Sequence, residues 1–166
     1  MSYRDEPAGA WGGFIRLEVN PLDTALALQA LKSLGTLDGR VAESALDYLL
    51  SVQNSDGGWG FREPDGSSVF ITAVVLKTLP GFQGDFPLRG SMDRAAAFLL
   101  SRQNPDGGFG SSPSTVFETA LALESLVAAS IRLGDSAALA VGYLTSNQKE
   151  NGSWEDDPYS TALALR

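Results

Sequence analysis

Two columns of aligned residues could carry chemistry in this sequence. The chain contains four Thr-Ala pairs, which begin at Thr24, Thr72, Thr119 and Thr161. Two places before each threonine the residue is apolar, and in three cases aromatic: Leu22, Phe70, Phe117 and Tyr159. Aromatic rings can line a pocket for an apolar ligand and can stabilise a carbocation through their π faces. One place before the threonine stand two acids, Asp23 and Glu118, which could act together in proton transfer.

Each column also has a purely structural interpretation. The aromatic residues could pack the helix starts against neighbouring turns. Asp23 and Glu118 could serve as helix N-caps, which is a sufficient role for both. They are also two repeats apart, which is a long way for two residues of one site.

Composition excludes several kinds of site. The chain of 166 residues has no Cys and no His, which rules out disulfides, thiolate chemistry, a Ser-His-Asp triad and a Cys/His zinc site. Asp56 and Asp106 lie in short Asp-Gly turns that offer too few oxygens for calcium. We therefore expect no metal and no cofactor. The net charge of −8, without a basic run, argues against a nucleic-acid partner.

A recurring turn organises the chain around these columns. It reads Gln, three residues, Gly, one residue, aromatic. The intact copies are Gln53/Gly57/Trp59, Gln103/Gly107/Phe109 and Gln148/Gly152/Trp154, and a worn copy with Asp5 in place of Gln ends at Trp11. The aromatic positions recur every 45–50 residues. A fixed period of this size indicates an array of repeats.

Helices flank each turn. Apolar residues three and four apart predict one helix type that ends at each turn glutamine, over about 38–53, 91–103 and 134–148. The Thr-Ala blocks predict a second type after each turn. Its first member lies at about 22–34, with Asp23 or Thr24 as the expected N-cap. The sequence thus predicts an all-α chain of seven helices: a single domain, 1–166, of three hairpins and a half-unit.

The Gln-x3-Gly-x-Trp turns resemble those of squalene and oxidosqualene cyclases, whose wider superfamily includes prenyltransferase β subunits and complement-like thioester domains. The resemblance implies an α/α-toroid in which inner helices ring a cavity and outer helices wrap them. The Thr-Ala helices would be inner, and the helices ending in Gln would be outer. Seven helices would form about half of an (α/α)6 barrel.

The resemblance also bears on activity. Prenyltransferases of this superfamily hold zinc with Asp, Cys and His, and the thioester domain needs a Cys, so neither activity is supported here. Squalene-type cyclases protonate their substrate through Asp-x-Asp-Asp at the start of an inner helix. The nearest match is Glu155-Asp156-Asp157, although its spacing to Thr161 differs. This match makes Asp156 and Asp157 the candidate catalytic acids.

Two functions remain open from the sequence. The first is a non-catalytic toroid module that binds an apolar, isoprenoid-like ligand or a protein partner through its concave face or end helices. It would self-associate or dock onto the rest of a longer parent chain. The second is part of a terpene cyclase with an Asp acid and a cavity lined by Phe70, Phe117 and Tyr159. No transmembrane segment or signal peptide is visible, so cytoplasm is the default expectation.

Overall fold

Seven α-helices dominate the part of the chain that the computed structural model describes, residues 3–5, 9–12, 18–62 and 65–165. They are α1 (Pro21–Ser33), α2 (Gly39–Ser51), α3 (Val69–Thr78), α4 (Arg89–Ser101), α5 (Val116–Ala128), α6 (Asp135–Ser146) and α7 (Pro158–Ala164). A 3-10 helix, Leu79–Phe82, continues α3 where Pro80 and Gly81 were read as a stop. The predicted number and types of helix are confirmed.

The helices form two layers. Contacts run from α1 to α3, from α3 to α5 and from α5 to α7, so the Thr-Ala helices make one continuous inner layer. The helices that end at the turn glutamines, α2, α4 and α6, pack outside α1, α3 and α5 respectively. The core between the layers is built from fully buried side chains such as Leu28, Leu49, Leu76 and Leu99. Their burial is the main force that holds the layers together.

Inner helices begin at a short polar residue four places before the repeated threonine. The caps are Asn20, Ser68, Thr115 and Asp157. Each cap side chain accepts a hydrogen bond from the backbone N–H three residues later, which satisfies an amide that has no partner within the helix. The expectation that Asp23 or Thr24 caps α1 is therefore wrong, because Asn20 does so.

Each repeated threonine ties its helix to the preceding turn. The hydroxyl oxygens of Thr72 and Thr119 accept hydrogen bonds from the backbone N–H of Trp59 at 2.9 Å and of Phe109 at 2.8 Å. The same bond joins the first and last copies, at 3.1 and 2.9 Å. Thr24, Thr72 and Thr119 are fully buried, so this bond fixes where the inner helix starts relative to the turn.

The turns themselves are built as the sequence predicts. Gly57 and Gly107 have φ of +90° and +88°, a conformation that L-residues with a side chain rarely adopt. The ring that follows each of them, Trp59 or Phe109, is fully buried, which confirms the expected burial of both. The first turn is held by a short antiparallel pair, β1 (Tyr3–Asp5) and β2 (Ala10–Gly12), which the sequence did not predict.

Candidate ligand-binding face

The inner helices expose one face that turns away from the outer layer. Three rows of residues, at corresponding positions of the repeats, lie along it. We call them the aromatic row, the aliphatic row and the polar row. The aromatic row is Leu22, Phe70, Phe117 and Tyr159; the aliphatic row is Leu26, Val74, Leu121 and Leu163; the polar row is Gln29, Lys77 and Glu124. Members three and four residues apart share one face of a helix, which is why the rows stack.

The aromatic row is a continuous ladder of rings. The centroid of Phe117 lies 5.5 Å from that of Phe70 and 5.5 Å from that of Tyr159, with interplanar angles of 41° and 33°. These are favourable distances for tilted aromatic pairs. Phe70 and Phe117 are half-buried, and Tyr159 is 65% exposed. The structure therefore brings together the three aromatic residues that the sequence singled out.

The polar row was missed by the sequence analysis. Lys77 forms an ion pair with Glu124, 2.7 Å between Nζ and Oε1, and Gln29 donates a hydrogen bond to the hydroxyl of Thr78 at 2.7 Å. These contacts link α1 to α3 and α3 to α5. The available signal was a polar residue five places after the threonine in each of the first three repeats. The face thus grades from aromatic to aliphatic to polar.

Glu118 lies beside the aromatic row, with its carboxyl half-buried. Its backbone N–H bonds to the Thr115 hydroxyl, and its side chain approaches the same hydroxyl at 3.3 Å. Burial raises the pKa of Glu118 above its ordinary value, and the bond to Thr115 opposes this only in part. A carboxyl that keeps its proton more readily is a better proton donor near neutral pH.

Asp23 is not brought next to Glu118, because α3 lies between α1 and α5. Its carboxylate accepts a hydrogen bond from the side-chain amide of Asn20 at 2.6 Å. Both acids are the third residue of their helix rather than its N-cap. An acid in the first turn of a helix interacts favourably with the free backbone amides there, which accounts for Asp23 on structural grounds alone.

Asp156 and Asp157 hold the start of α7. Asp157 is its N-cap, and its Oδ2 accepts from the backbone N–H of Ser160 at 2.6 Å, which lowers the pKa of Asp157. Asp156 is exposed and pairs with Lys149, which lowers the pKa of Asp156. Both side chains are therefore carboxylates at neutral pH in this arrangement, a state that accepts rather than donates a proton.

Two searches within the described residues found nothing. No group of three or more Asp and Glu side chains is placed to hold a metal ion there. None of the helices in that part of the chain is long and apolar enough to cross a membrane.

A model of the squalene-hopene cyclase C-terminal domain matches residues 61–163, more than half of the chain. The chain belongs to that family. Relatives in the family include squalene-hopene cyclase of Zymomonas mobilis, 29% identical over 136 residues, with 71% of this chain and 20% of that protein covered. Drimenyl diphosphate synthase of Streptomyces showdoensis is 45% identical over 74 residues, covering 45% of this chain and 14% of that protein. The chain thus spans a fifth or less of these relatives.

Solved structures agree with the family on the fold. The ent-copalyl diphosphate synthase of Streptomyces platensis superimposes with a TM-score of 0.74 at 23% identity, over 95% of this chain and 34% of that one. This likeness shows the fold: the squalene-hopene cyclase family member described here is a partial α/α-toroid, as expected. The rows of the inner helices lie where such a toroid has its central cavity.

Proposed function

We propose that this chain supplies one wall of the cavity of a terpene cyclase and binds the polyisoprene chain of the substrate along its aromatic row. The ladder of Phe70, Phe117 and Tyr159 is the observation that carries the proposal. It presents π faces at 5.5 Å intervals on the inner face, next to an aliphatic row. Several relatives are terpene cyclases by name, which supports the same class of reaction.

The chemistry asks two things of such a wall. Proton transfer to a terminal carbon–carbon double bond creates a carbocation, which then moves along the substrate as rings close. Aromatic faces stabilise the cation at successive positions without reacting with it, because their negative quadrupole is fixed in place before the charge arrives. The aliphatic row excludes water, which would otherwise capture the cation.

The proton would come from an acid near this wall. Glu118 is the best-supported donor among the described residues, because burial raises its pKa and it directly follows Phe117 in α5. Its proton would pass to the terminal alkene carbon, leaving the carboxylate and a tertiary cation. The acid role proposed for Asp156 and Asp157 has weaker support, since hydrogen bonds and Lys149 stabilise their charged forms.

A non-catalytic isoprenoid-binding module is the second candidate. The observation that favours it is the structural employment of the Asp156 and Asp157 side chains, one in an ion pair and the other in a helix cap. In that case the same aromatic row would hold the ligand, and no proton would be transferred. Binding is common to both candidates, and turnover separates them.

Binding is tested by titrating the 166-residue chain with a dansyl-labelled farnesyl probe and following dansyl fluorescence. Phe117 is the middle ring of the row, and a contact of about 1.4 kcal/mol corresponds to a tenfold change in affinity. We expect Phe117→Ala to weaken binding at least about tenfold by that relation. Leu34→Ala, at an apolar position 72% exposed beyond α1, is the matched control and should bind as the parent does. Equal affinity of Phe117→Ala and the parent would refute the proposal.

Turnover is tested by incubating the chain with squalene and with farnesyl diphosphate in deuterated water. A cyclase transfers one solvent-derived deuteron to the product, which mass spectrometry detects. Loss of that product in Glu118→Gln, with probe binding retained, would support Glu118 as the acid. Binding without any cyclic product would favour the non-catalytic module for this chain.

A further inference from the structure

The fourth turn, around Gly152, is fully formed. Gly152 has φ of +83°, against +90° for Gly57 and +88° for Gly107. The side-chain amide of Gln148 donates to the Gly152 carbonyl at 3.1 Å, as the glutamines of the second and third turns do to their own glycines. The Trp154 indole N–H donates to a carbonyl of α6 at 2.7 Å. This turn therefore has the same internal structure as the earlier ones.

Each earlier turn also holds the outer helix of the next repeat against its glycine. A Cβ added to Gly57 would lie 2.5 Å from the carbonyl oxygen of Arg94 in α4. Gly9 makes the corresponding close approach to Ser44 in α2, and Gly107 to Leu139 in α6. Only glycine permits the backbone of a helix to pack this closely on a turn.

The glutamines bind the same helices from a second side. The side-chain amide of Gln53 donates to the carbonyl of Ser91 at 3.0 Å, and that of Gln103 to the carbonyl of Ser136 at 2.9 Å. These carbonyls belong to the first turns of α4 and α6. Turn and next outer helix are thus joined by one repeated interface.

The fourth turn lacks that partner among the described residues. No described atom lies within 4 Å of a Cβ added to Gly152, and Gln148 has no second acceptor there. Nearby apolar residues are correspondingly bare. Val141 is 56% exposed, whereas Leu46 and Ala96 at the same position of the earlier outer helices are 1% and 3% exposed.

The inner helix shows the same contrast. Leu165 is 69% exposed, whereas Leu28 and Leu76, at the same position of α1 and α3, are fully buried. We therefore define a terminal edge by four residues: Val141, Gln148, Gly152 and Leu165. Its polar and apolar parts match an interface that the chain already builds three times.

We propose that the terminal edge is a docking surface for an outer-type helix of one further repeat. The helices that the turns hold give its chemistry. In α4 and α6 a Ser-x3-Ala sequence, Ser91 to Ala95 and Ser136 to Ala140, offers a first-turn carbonyl and then a fully buried alanine. A second copy of this chain does not suit the edge, because α2, α4 and α6 are already held by their own preceding turns. The partner is an amphipathic helix with the Ser-x3-Ala pattern.

The test gives the chain such a helix in register. Thr161 aligns with Thr119, so position 166 aligns with position 124, and a second copy of residues 125–148 fused after Arg166 continues the repeat. Tethering removes the need for tight intermolecular affinity. Because the chain has no native Cys, Val141→Cys introduces a single reporter thiol. Leu34→Cys, distant from the edge along the chain, is the control reporter.

We expect the fused helix to slow the reaction of Cys at position 141 with a thiol reagent by about tenfold, which corresponds to a docked population of about nine in ten. The control thiol at position 34 should react at an unchanged rate. Gln148→Leu, or glutamate in place of Ala140 within the appended copy, should restore fast reaction at position 141.

Two results would overturn the proposal. One is a helical extension, seen by circular dichroism, that leaves the reactivity at position 141 unchanged. The other is an unextended chain that dimerises and protects position 141, which would assign the edge to a second copy. Neither result depends on isoprenoid binding, so this test can fail or succeed independently of the proposed function.

Discussion

Removing the Trp59 ring tests whether the turns hold the two layers together. Trp59 is fully buried in the core between the layers. Its indole N–H donates to the Leu49 carbonyl at the end of α2 at 2.7 Å, and its backbone N–H donates to Thr72 of α3 at 2.9 Å. The residue therefore connects an outer helix and an inner helix through one side chain and one amide. The side-chain half of this connection can be deleted without touching the backbone half.

The magnitude follows from the lost burial. Truncating a fully buried large aromatic residue costs roughly 3–5 kcal/mol, since the cavity that remains closes only in part. For a chain of this size that loss lowers the melting temperature by roughly 6–20 °C. Trp59→Phe keeps most of the ring and leaves only the Leu49 carbonyl without its donor, so it should cost about 1–3 kcal/mol. The third turn has Phe109 at this position, which shows that the turn accepts the smaller ring.

Chemical denaturation of Trp59→Ala, Trp59→Phe and the parent chain gives the three free energies of unfolding. Phe61→Ala, two residues away at a position 41% exposed, is the matched control and should stay within about 0.5 kcal/mol of the parent. A loss below about 1 kcal/mol in Trp59→Ala, far from the range for a buried aromatic, would refute the reasoning. Equal losses for the Ala and Phe variants would show that the hydrogen bond, and not the ring, carries the stability.

Three further predictions concern the inner helices. Thr72→Val leaves the buried amide of Trp59 without an acceptor and should cost about 1–3 kcal/mol in denaturation, whereas Thr72→Ser should largely preserve stability. Burial raises the pKa of Glu118, so the folded state binds more protons than the unfolded state above pH 4.5, and stability should fall as pH rises towards the raised pKa. Glu118→Gln should remove that slope from denaturation curves measured across pH. The pKa of Asp157 is lowered in the fold, so its contribution should be present above its ordinary pKa and be lost as pH falls through the folded value; Asp157→Asn should keep the cap but lose this dependence.

The repeat pattern predicted the architecture well because it is enforced at several levels at once. Turn glycines with positive φ, buried rings and the 3.6-residue period all indicate the same helix–turn–helix unit, and the structure has all seven helices near their expected bounds. The start of α1 was misplaced because the cap and the acid were confused. Asn20 lies four places before Thr24, as Ser68 does before Thr72, so the cap column was visible but was overlooked in favour of Asp23.

The site was less predictable because its properties depend on burial. Alignment alone placed Phe70, Phe117 and Tyr159 in one column, and the ladder follows from it. The Lys77–Glu124 pair was not anticipated, since each residue read singly is an ordinary helix-surface charge. A sequence column tells which residues are neighbours, but not how much water remains around them.

Burial also decides which acid of this fold is suited to donate a proton. Every inner helix begins with free backbone amides that favour negative charge, so acids collect at these positions for structural reasons alone. Asp157 follows that trend, because its hydrogen bonds to the first turn lower its pKa. Glu118 departs from it: it lies in the first turn of α5 and bonds to Thr115, yet burial is the larger effect and its pKa rises. The carboxyl whose environment overrides the helix start is therefore the one whose replacement should be examined first for loss of proton transfer.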